Sequence, residues 1–258
     1  MPDSPLRRHV TAFAALIATL AALAAGCGRA PGEGTLTVLM PSSLTDVGRE
    51  LGAAYRREHR DVKMKPVYGG SQEMAERVDD HNPGDVLVTA DETSMNAVAE
   101  HLTGPRRVVA LGSMTIAVAP GNPQRIRGPR DLTRRGLRVA VGAGTVPVGR
   151  YAREVFARAG VTVRWTSEEV SARAVLDRVR GGEADAGIVY ITDLRSAGAA
   201  ASSVPIPADD NVTATYPAMA VKDGADLDQA RSFVAWLSSP TARALFNKHG
   251  FSTPAPGR

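Results

Sequence analysis

A single cysteine in 258 residues excludes any disulfide within the chain. Stability must therefore come from a hydrophobic core rather than from covalent staples. Aromatic residues are scarce, at 5%, and arginines are scattered among Glu and Asp instead of alternating with stacking side chains. Without such a stripe there is no nucleic-acid footprint. The formal net charge is only +4, of which Arg7 and Arg8 against Asp3 place +1 near the N-terminus. The excess that remains steers an anion weakly at best. Signatures of common catalytic and metal centres are missing too. There is no HExxH and no clustered Cys/His set, and Gly69-Gly70-Ser71-Gln72-Glu73 lacks the closing glycine of a nucleophile elbow. Of the five histidines, His9 is near the start, His59, His81 and His101 fall in polar helix ends or loops, and His249 lies in a terminal helix. None accompanies a nucleophile motif, so the residues argue against an enzyme.

What is present begins with a leader. Arg7, Arg8 and His9 precede an uncharged apolar run from Val10 through Leu23, then Ala24-Ala25-Gly26-Cys27. Residues 1–26 read as a secretory signal. The cysteine, placed where small residues close the apolar run, resembles a bacterial lipoprotein signal with Cys27 as the lipid-modified first mature residue. Ala24 stands where such signals favour Leu, Val or Ile. Cleavage that releases an unanchored protein, or retention as a membrane helix, are the two other outcomes open to this run. Residues 27–34 then form the lipidated N-terminus and a polar linker. Roughly 225 residues follow, ample for a core.

From Leu36 onward, short apolar runs alternate with amphipathic helical segments, which indicates an α/β fold with largely parallel sheets. Strands are expected at 36–40, 62–68, 85–89, 114–119, 137–141, 161–165, 186–190 and 216–221. Residues 35–113 plus 216–258 read as lobe 1 and 114–215 as lobe 2, joined by two crossings. Ligands of open α/β sheets sit beyond the carboxyl ends of strands, so a cleft between the lobes is the expected site.

One junction stands out: Val139-Ala-Val-Gly-Ala-Gly-Thr-Val-Pro-Val-Gly-Arg-Tyr-Ala-Arg-Glu154. Gly144 to Arg150 spells GxxxxGR where a P-loop needs Lys, Tyr151 replaces the magnesium-binding hydroxyl, and Pro147 displaces the third glycine of a dinucleotide fingerprint. A strand-turn-helix of this kind still aims backbone N–H groups and a positive helix end at an anion, although such a turn alone is equally well an ordinary tight connection. Similar turns occur at Ser42-Ser43, Gly70-Ser71 and Ser167-Glu-Glu-Val170. Each serine alone reads as an N-cap; four turns gathered at one sheet edge read as a site. Glu168-Glu169 reads as dipole-complementing acids at a helix start in preference to a metal or acid-base pair. Tyr190 reads either as a core aromatic or as a phenolic donor at the cleft.

Taken together, Pro41-Ser-Ser-Leu-Thr45, Gly70-Ser-Gln-Glu-Met-Ala75, Gly84-Asp-Val-Leu-Val-Thr-Ala-Asp91, Val141 to Ala152, Glu168 to Ala174, Ala186-Gly-Ile-Val-Tyr190 and Tyr216-Pro217 resemble the molybdate-binding extracytoplasmic proteins of ABC transporters. The resemblance covers residues 35 to 253 and implies a two-lobed type II periplasmic-binding-protein fold. It places hydroxyl contacts to the oxyanion at Ser43 and Ser71, backbone N–H donors at Val148 and Val170, and a phenolic donor at Tyr190. It departs from the family's usual wording at Pro41-Ser42, at Gly69-Gly70 and at Val148, which replaces alanine but would act through its backbone. The implied protein is no enzyme. It is a monomer that needs no cofactor and no metal ligands, captures molybdate or tungstate outside the cytoplasm, and delivers it to a membrane permease and its ATPase. A receptor for sulfate or another small anion, and more distantly a serine hydrolase using Ser43 or Ser71, are the competing readings.

Overall fold

Strand β1 (Gly34–Pro41) buries Leu36, Val38, Leu39 and Met40 in succession rather than alternately, which marks a strand covered on both faces. The computed structural model describes residues 34–81 and 84–255; the leader and the expected lipidation site Cys27 lie outside the described residues. A half-turn at Ser42–Leu44 leads into helix α1 (Thr45–Glu58), whose Val47, Leu51, Ala54 and Tyr55 form the buried stripe. Strand β2 (Val62–Gly69), helix α2 (Ser71–Asp79), strand β3 (Val86–Val88) and the short helix α3 (Glu92–Ala97) repeat the alternation. After the long strand β4 (Leu102–Val118) come β5 (Val139–Gly142), α4 (Pro147–Arg158), β6 (Ser167–Glu169), α5 (Ala172–Arg180), β7 (Ala186–Tyr190), α6 (Ile191–Ala197) and β8 (Ser202–Pro205). Strand β9 (Thr213–Val221) and helices α7 (Leu227–Trp236) and α8 (Pro240–Lys248) complete the chain.

The strands form one mixed sheet in the order β2-β1-β3-β9-β4-β7-β5-β6, with β8 beside β4. β1 runs parallel to β3, and β5 runs parallel to both β6 and β7; β9 is antiparallel to β3 and to β4. β4 belongs to both halves. Its first part, Leu102 to Ser113, pairs with β9, and its last part, Met114 to Val118, pairs with β7 and β8. From Thr35 on, the chain is one compact unit.

Two expected strands differ from the observed ones. The strand expected at 114–119 is only the end of β4, which begins at Leu102. Gly104-Pro105 has the composition of a turn, but the ladder absorbs it: register shifts between Thr103 and Arg107, with Gly104 at φ +79, keep one strand continuous through an irregularity. The strand expected at 161–165 sits later, at Ser167–Glu169. Its alternating Val-Thr-Val-Arg-Trp pattern is right for an extended chain, yet the ladder to β5 starts only at Ala140 opposite Ser167. Glu168 and Glu169 therefore lie on a strand, and the next helix starts at Ala172, capped by the Ser171 hydroxyl accepting the Ala174 N–H at 3.2 Å. This corrects their reading as acids of a helix start.

The junction between β5 and α4 depends on one glycine. A Cβ on Gly149 would stand 1.9 Å from the Ala143 carbonyl oxygen and 2.3 Å from that of Gly142. Backbone oxygens cannot swing aside, so the strand end and the helix start approach this closely only because residue 149 has no side chain. Gly149→Ala is expected to destabilise the protein by about 3 kcal/mol or more, well beyond an ordinary surface change; a denaturant titration that gives the wild-type midpoint would refute the constraint.

Candidate functional site

Six strand ends converge. Pro41 ends β1 and Ser42 and Ser43 follow it; Gly69 ends β2 and Gly70 and Ser71 follow it; Ala90 follows β3; Val146, Pro147 and Val148 follow β5; Val170, Ser171 and Ala172 follow β6; Tyr190 ends β7. Together they line a cavity of about 20 Å³, on the scale of one small solute rather than an organic molecule. Ser43, Ser71, Val148, Val170 and Tyr190, the five residues expected from sequence, all border it. Among the described residues that line it, none carries a charge.

Each donor has a local reason for its position. Ser71 opens α2, with Gly70 as its extended N-cap and the Glu73 carboxylate accepting the Gly70 N–H at 3.3 Å. The Ser71 hydroxyl accepts the Ala90 N–H at 2.9 Å, which leaves its own proton to donate. Gly70 must be glycine, because a Cβ there would meet the Val170 carbonyl oxygen at 2.8 Å. A serine at position 70 would push the β2 end away from the β6 end. Ser43, 8% exposed, lies 3.3 Å from the Tyr216 hydroxyl, so one of the two hydroxyls donates to the other. Val148 lies in the first turn of α4, behind Pro147, where a helix offers its N–H groups no acceptor four residues back. Val170 is 74% exposed; a side chain so placed contributes nothing to the core, consistent with a residue that acts through its backbone. The first turns of α2, α4 and α5 border the cavity, as does Tyr190, the N-cap of α6, which adds the positive ends of helix dipoles.

Tyr190 is the unusual member. Its ring is 2% exposed, between Tyr151 and Tyr216 at centroid distances of 6.3 and 6.0 Å, and its hydroxyl has no hydrogen-bond partner among the described residues. Burial drives its pKa well above the ordinary phenol value, as it does for Tyr216. Both stay protonated, so Tyr190 presents an O–H donor and no charge.

The cations nearby are all engaged elsewhere. Arg150, at the place of the P-loop lysine, turns away and donates to Asp91 from Nε at 2.7 Å. Arg153 donates to the Gly142 and Gly149 carbonyls, each at 2.9 Å, and to Glu168 at 2.7 Å. Arg178 donates to Glu169 at 2.8 Å and to Glu183. Each of the two adjacent glutamates is thus tied to its own arginine, and no group of three or more potential metal-binding His, Cys, Asp or Glu occurs among the described residues. Sequence reading missed Ala90, the Tyr216 support of Ser43 and the Asp91–Arg150 pair. The only trace of the last was a basic residue in a loop that fails as a P-loop.

A family model of bacterial extracellular solute-binding proteins matches residues 36–252. The chain belongs to that family. Molybdate-binding protein ModA of Mycobacterium tuberculosis is 31% identical over 229 residues, 88% of each chain, and its Escherichia coli counterpart is 26% identical over 85% of this chain and 90% of the relative. In three dimensions the periplasmic molybdate-binding protein of Azotobacter vinelandii matches with TM-score 0.70 at 20% identity, over 85% of this chain and 99% of that one. The fold is thus the two-lobed type II periplasmic-binding-protein fold, as expected, and the family is one of solute-binding proteins.

Directly behind the site, Asp193 is buried, and its Oδ2 accepts the Tyr190 N–H at 3.3 Å. Burial raises its pKa from 3.8 to about 7, opposed by the Arg173 charge and reinforced by Asp46 and Asp177. A carboxyl whose pKa rises on folding contributes stability that is fully present below about pH 4 and lost as the pH climbs through about 7. The melting temperature is therefore expected to fall between pH 5 and pH 8, and Asp193→Asn should flatten that fall. Identical slopes in the two proteins would show that Asp193 does not titrate in this window.

Proposed function

We propose that this chain is an extracytoplasmic receptor for molybdate, and for tungstate, that hands the oxyanion to the permease of an ABC transporter. One observation carries the reading: Tyr190, whose buried hydroxyl has no hydrogen-bond partner among the described residues, borders a small uncharged cavity lined by hydroxyls and helix N-termini. A fully deprotonated tetrahedral dianion has only acceptors and suits a ring of donors. A protonated phosphate would turn an O–H toward another donor. Each hydrogen bond to a charged group is worth about 1.5–3 kcal/mol, so a handful offsets desolvation and leaves the roughly 8–12 kcal/mol of micromolar to nanomolar binding.

The relatives named for molybdate support the ligand assignment. Sulfate is the second reading: the same donors fit it, and the sulfate-binding protein SubI of Mycobacterium tuberculosis has the same fold, with TM-score 0.78 at 19% identity over 86% of this chain and 88% of that one. A hydrolase is disfavoured by the partners of the two serines, a phenol for Ser43 and a peptide N–H for Ser71, neither of which takes up a proton. Anchoring through a lipid on Cys27, after removal of residues 1–26, completes the proposal and would tether the receptor beside its permease.

Titration calorimetry with molybdate, tungstate, sulfate and phosphate decides the ligand. Molybdate and tungstate are expected to bind at micromolar affinity or tighter; strong sulfate binding without molybdate heat would reassign it. Ser43→Ala and Ser71→Ala should each raise Kd by about ten- to a hundredfold. Tyr190→Phe should do the same while leaving the ligand-free melting temperature unchanged or higher, because it removes a buried hydroxyl that no described residue satisfies. Wild-type affinity in all three variants would remove this cavity from the binding function.

A further inference from the structure

Next to the cavity, but outside its lining, the two halves of the sheet are tied together by a pair of charges. Asp91 follows Ala90 at the end of β3 and caps α3, its Oδ1 accepting the Ser94 N–H at 2.9 Å. Its Oδ2 accepts from Arg150 Nε at 2.7 Å and lies 2.5 Å from Arg150 Nη2. Nη2 also donates to the Ser94 hydroxyl at 2.9 Å, and Nη1 donates to the Thr145 carbonyl. The side chains are 7% and 26% exposed, so the pair is largely dry. One residue further on, the Tyr151 hydroxyl donates to the Ala90 carbonyl at 3.1 Å. Two consecutive residues of α4 thus grip two consecutive residues at the end of β3.

The grip is placed to matter for the donors. On the α4 side it lies one turn or less from Val148; on the β3 side, Ala90 holds the Ser71 hydroxyl. We propose that Asp91 and Arg150 form a clasp that holds the Ser71 and Val148 donor groups in register around the enclosed anion and sets how long the anion stays. The inference rests on the oxyanion reading of the cavity. Both residues are positioning residues that touch no ligand. An anion held by donors from both halves leaves only when the halves part, and parting here must break a largely buried charge pair. A contact present only in the closed form slows dissociation and leaves association nearly unchanged. Because the pair neutralises itself, it adds this hold without placing a cation at the ligand.

Stopped-flow binding of molybdate to the mature protein tests the clasp. Asp91→Ser keeps a hydroxyl that caps α3 but gives up the charge, Arg150→Lys keeps the charge but gives up the two-pronged geometry, and Arg150→Gln gives up both. Dissociation should be about tenfold or more faster in Asp91→Ser and Arg150→Gln, with association within about threefold of wild type. The double variant Asp91→Ser with Arg150→Gln should be no worse than the worse single one, as expected for partners in one interaction. A purely structural role would lower the melting temperature without dividing the effect between the two rates in this way. Wild-type dissociation rates in both single variants overturn the clasp while leaving the receptor reading intact. Failure of the wild-type protein to bind molybdate, tungstate or sulfate overturns the receptor reading and the clasp with it.

Discussion

The constraint on which this structure turns is the unmet hydrogen bond of a buried phenol. An O–H withdrawn from water without a partner costs on the order of 1–3 kcal/mol, and most folds avoid that cost by supplying an acceptor. Here Tyr190 ends a fully buried strand, has aromatic rings on two sides, and borders a cavity lined by other donors. Adding an acceptor side chain to the protein would satisfy the phenol but spoil the cavity for an anion. On the oxyanion proposal, a guest that brings only acceptors would complete the set, so that stability held back in the protein would be recovered in the complex.

The strand ends supply the rest of the set, and the topology explains why they meet. β1, β2, β3, β5, β6 and β7 all deliver their carboxyl ends to the cavity, and each is followed within a few residues by a helical turn whose first N–H groups lack internal acceptors. Close approach is enforced by two residues without side chains. Gly149 lets α4 start against the β5 end, and Gly70 lets the β2 end approach the backbone at Val170. These positions are set by the distance between backbones, which is why Gly70 can stand where serines are usual and still serve the site through Ser71 beside it.

Most of this was legible in the sequence because it is local. A strand end, a turn of small or polar residues and a helix start follow one another closely, and four such turns marked the site; the resemblance to the molybdate-binding proteins then put the donors at Ser43, Ser71, Val148, Val170 and Tyr190. What was hidden is pairing between distant segments. The Ser43–Tyr216 contact joins residues 173 apart and the Asp91–Arg150 contact residues 59 apart, and no periodicity encodes either. The extent of β4 was hidden for another reason: Gly104-Pro105 has the composition of a turn, and only the facing strand decides that the ladder continues past it. The shift of β6 toward Glu168 and Glu169 likewise follows from where its partner β5 begins, not from its own alternation.

The arrangement of charge around the cavity has its own logic. Arg150, Arg153 and Arg178 all lie on the helices that follow β5 and β6, yet each is committed to a carboxylate: Asp91, Glu168 and Glu169. A free guanidinium at the ligand would attract any anion in proportion to its charge and would tolerate protonated forms, because one strong contact need not register every oxygen. Several fixed neutral donors behave differently, since each must find an acceptor, and a misplaced or protonated oxygen leaves a donor unpaired in a dry site. Tying up the arginines therefore does two things at once. It pins the helices whose first turns border the cavity, and under the oxyanion proposal it would leave recognition to groups whose positions, rather than whose charge, decide what fits.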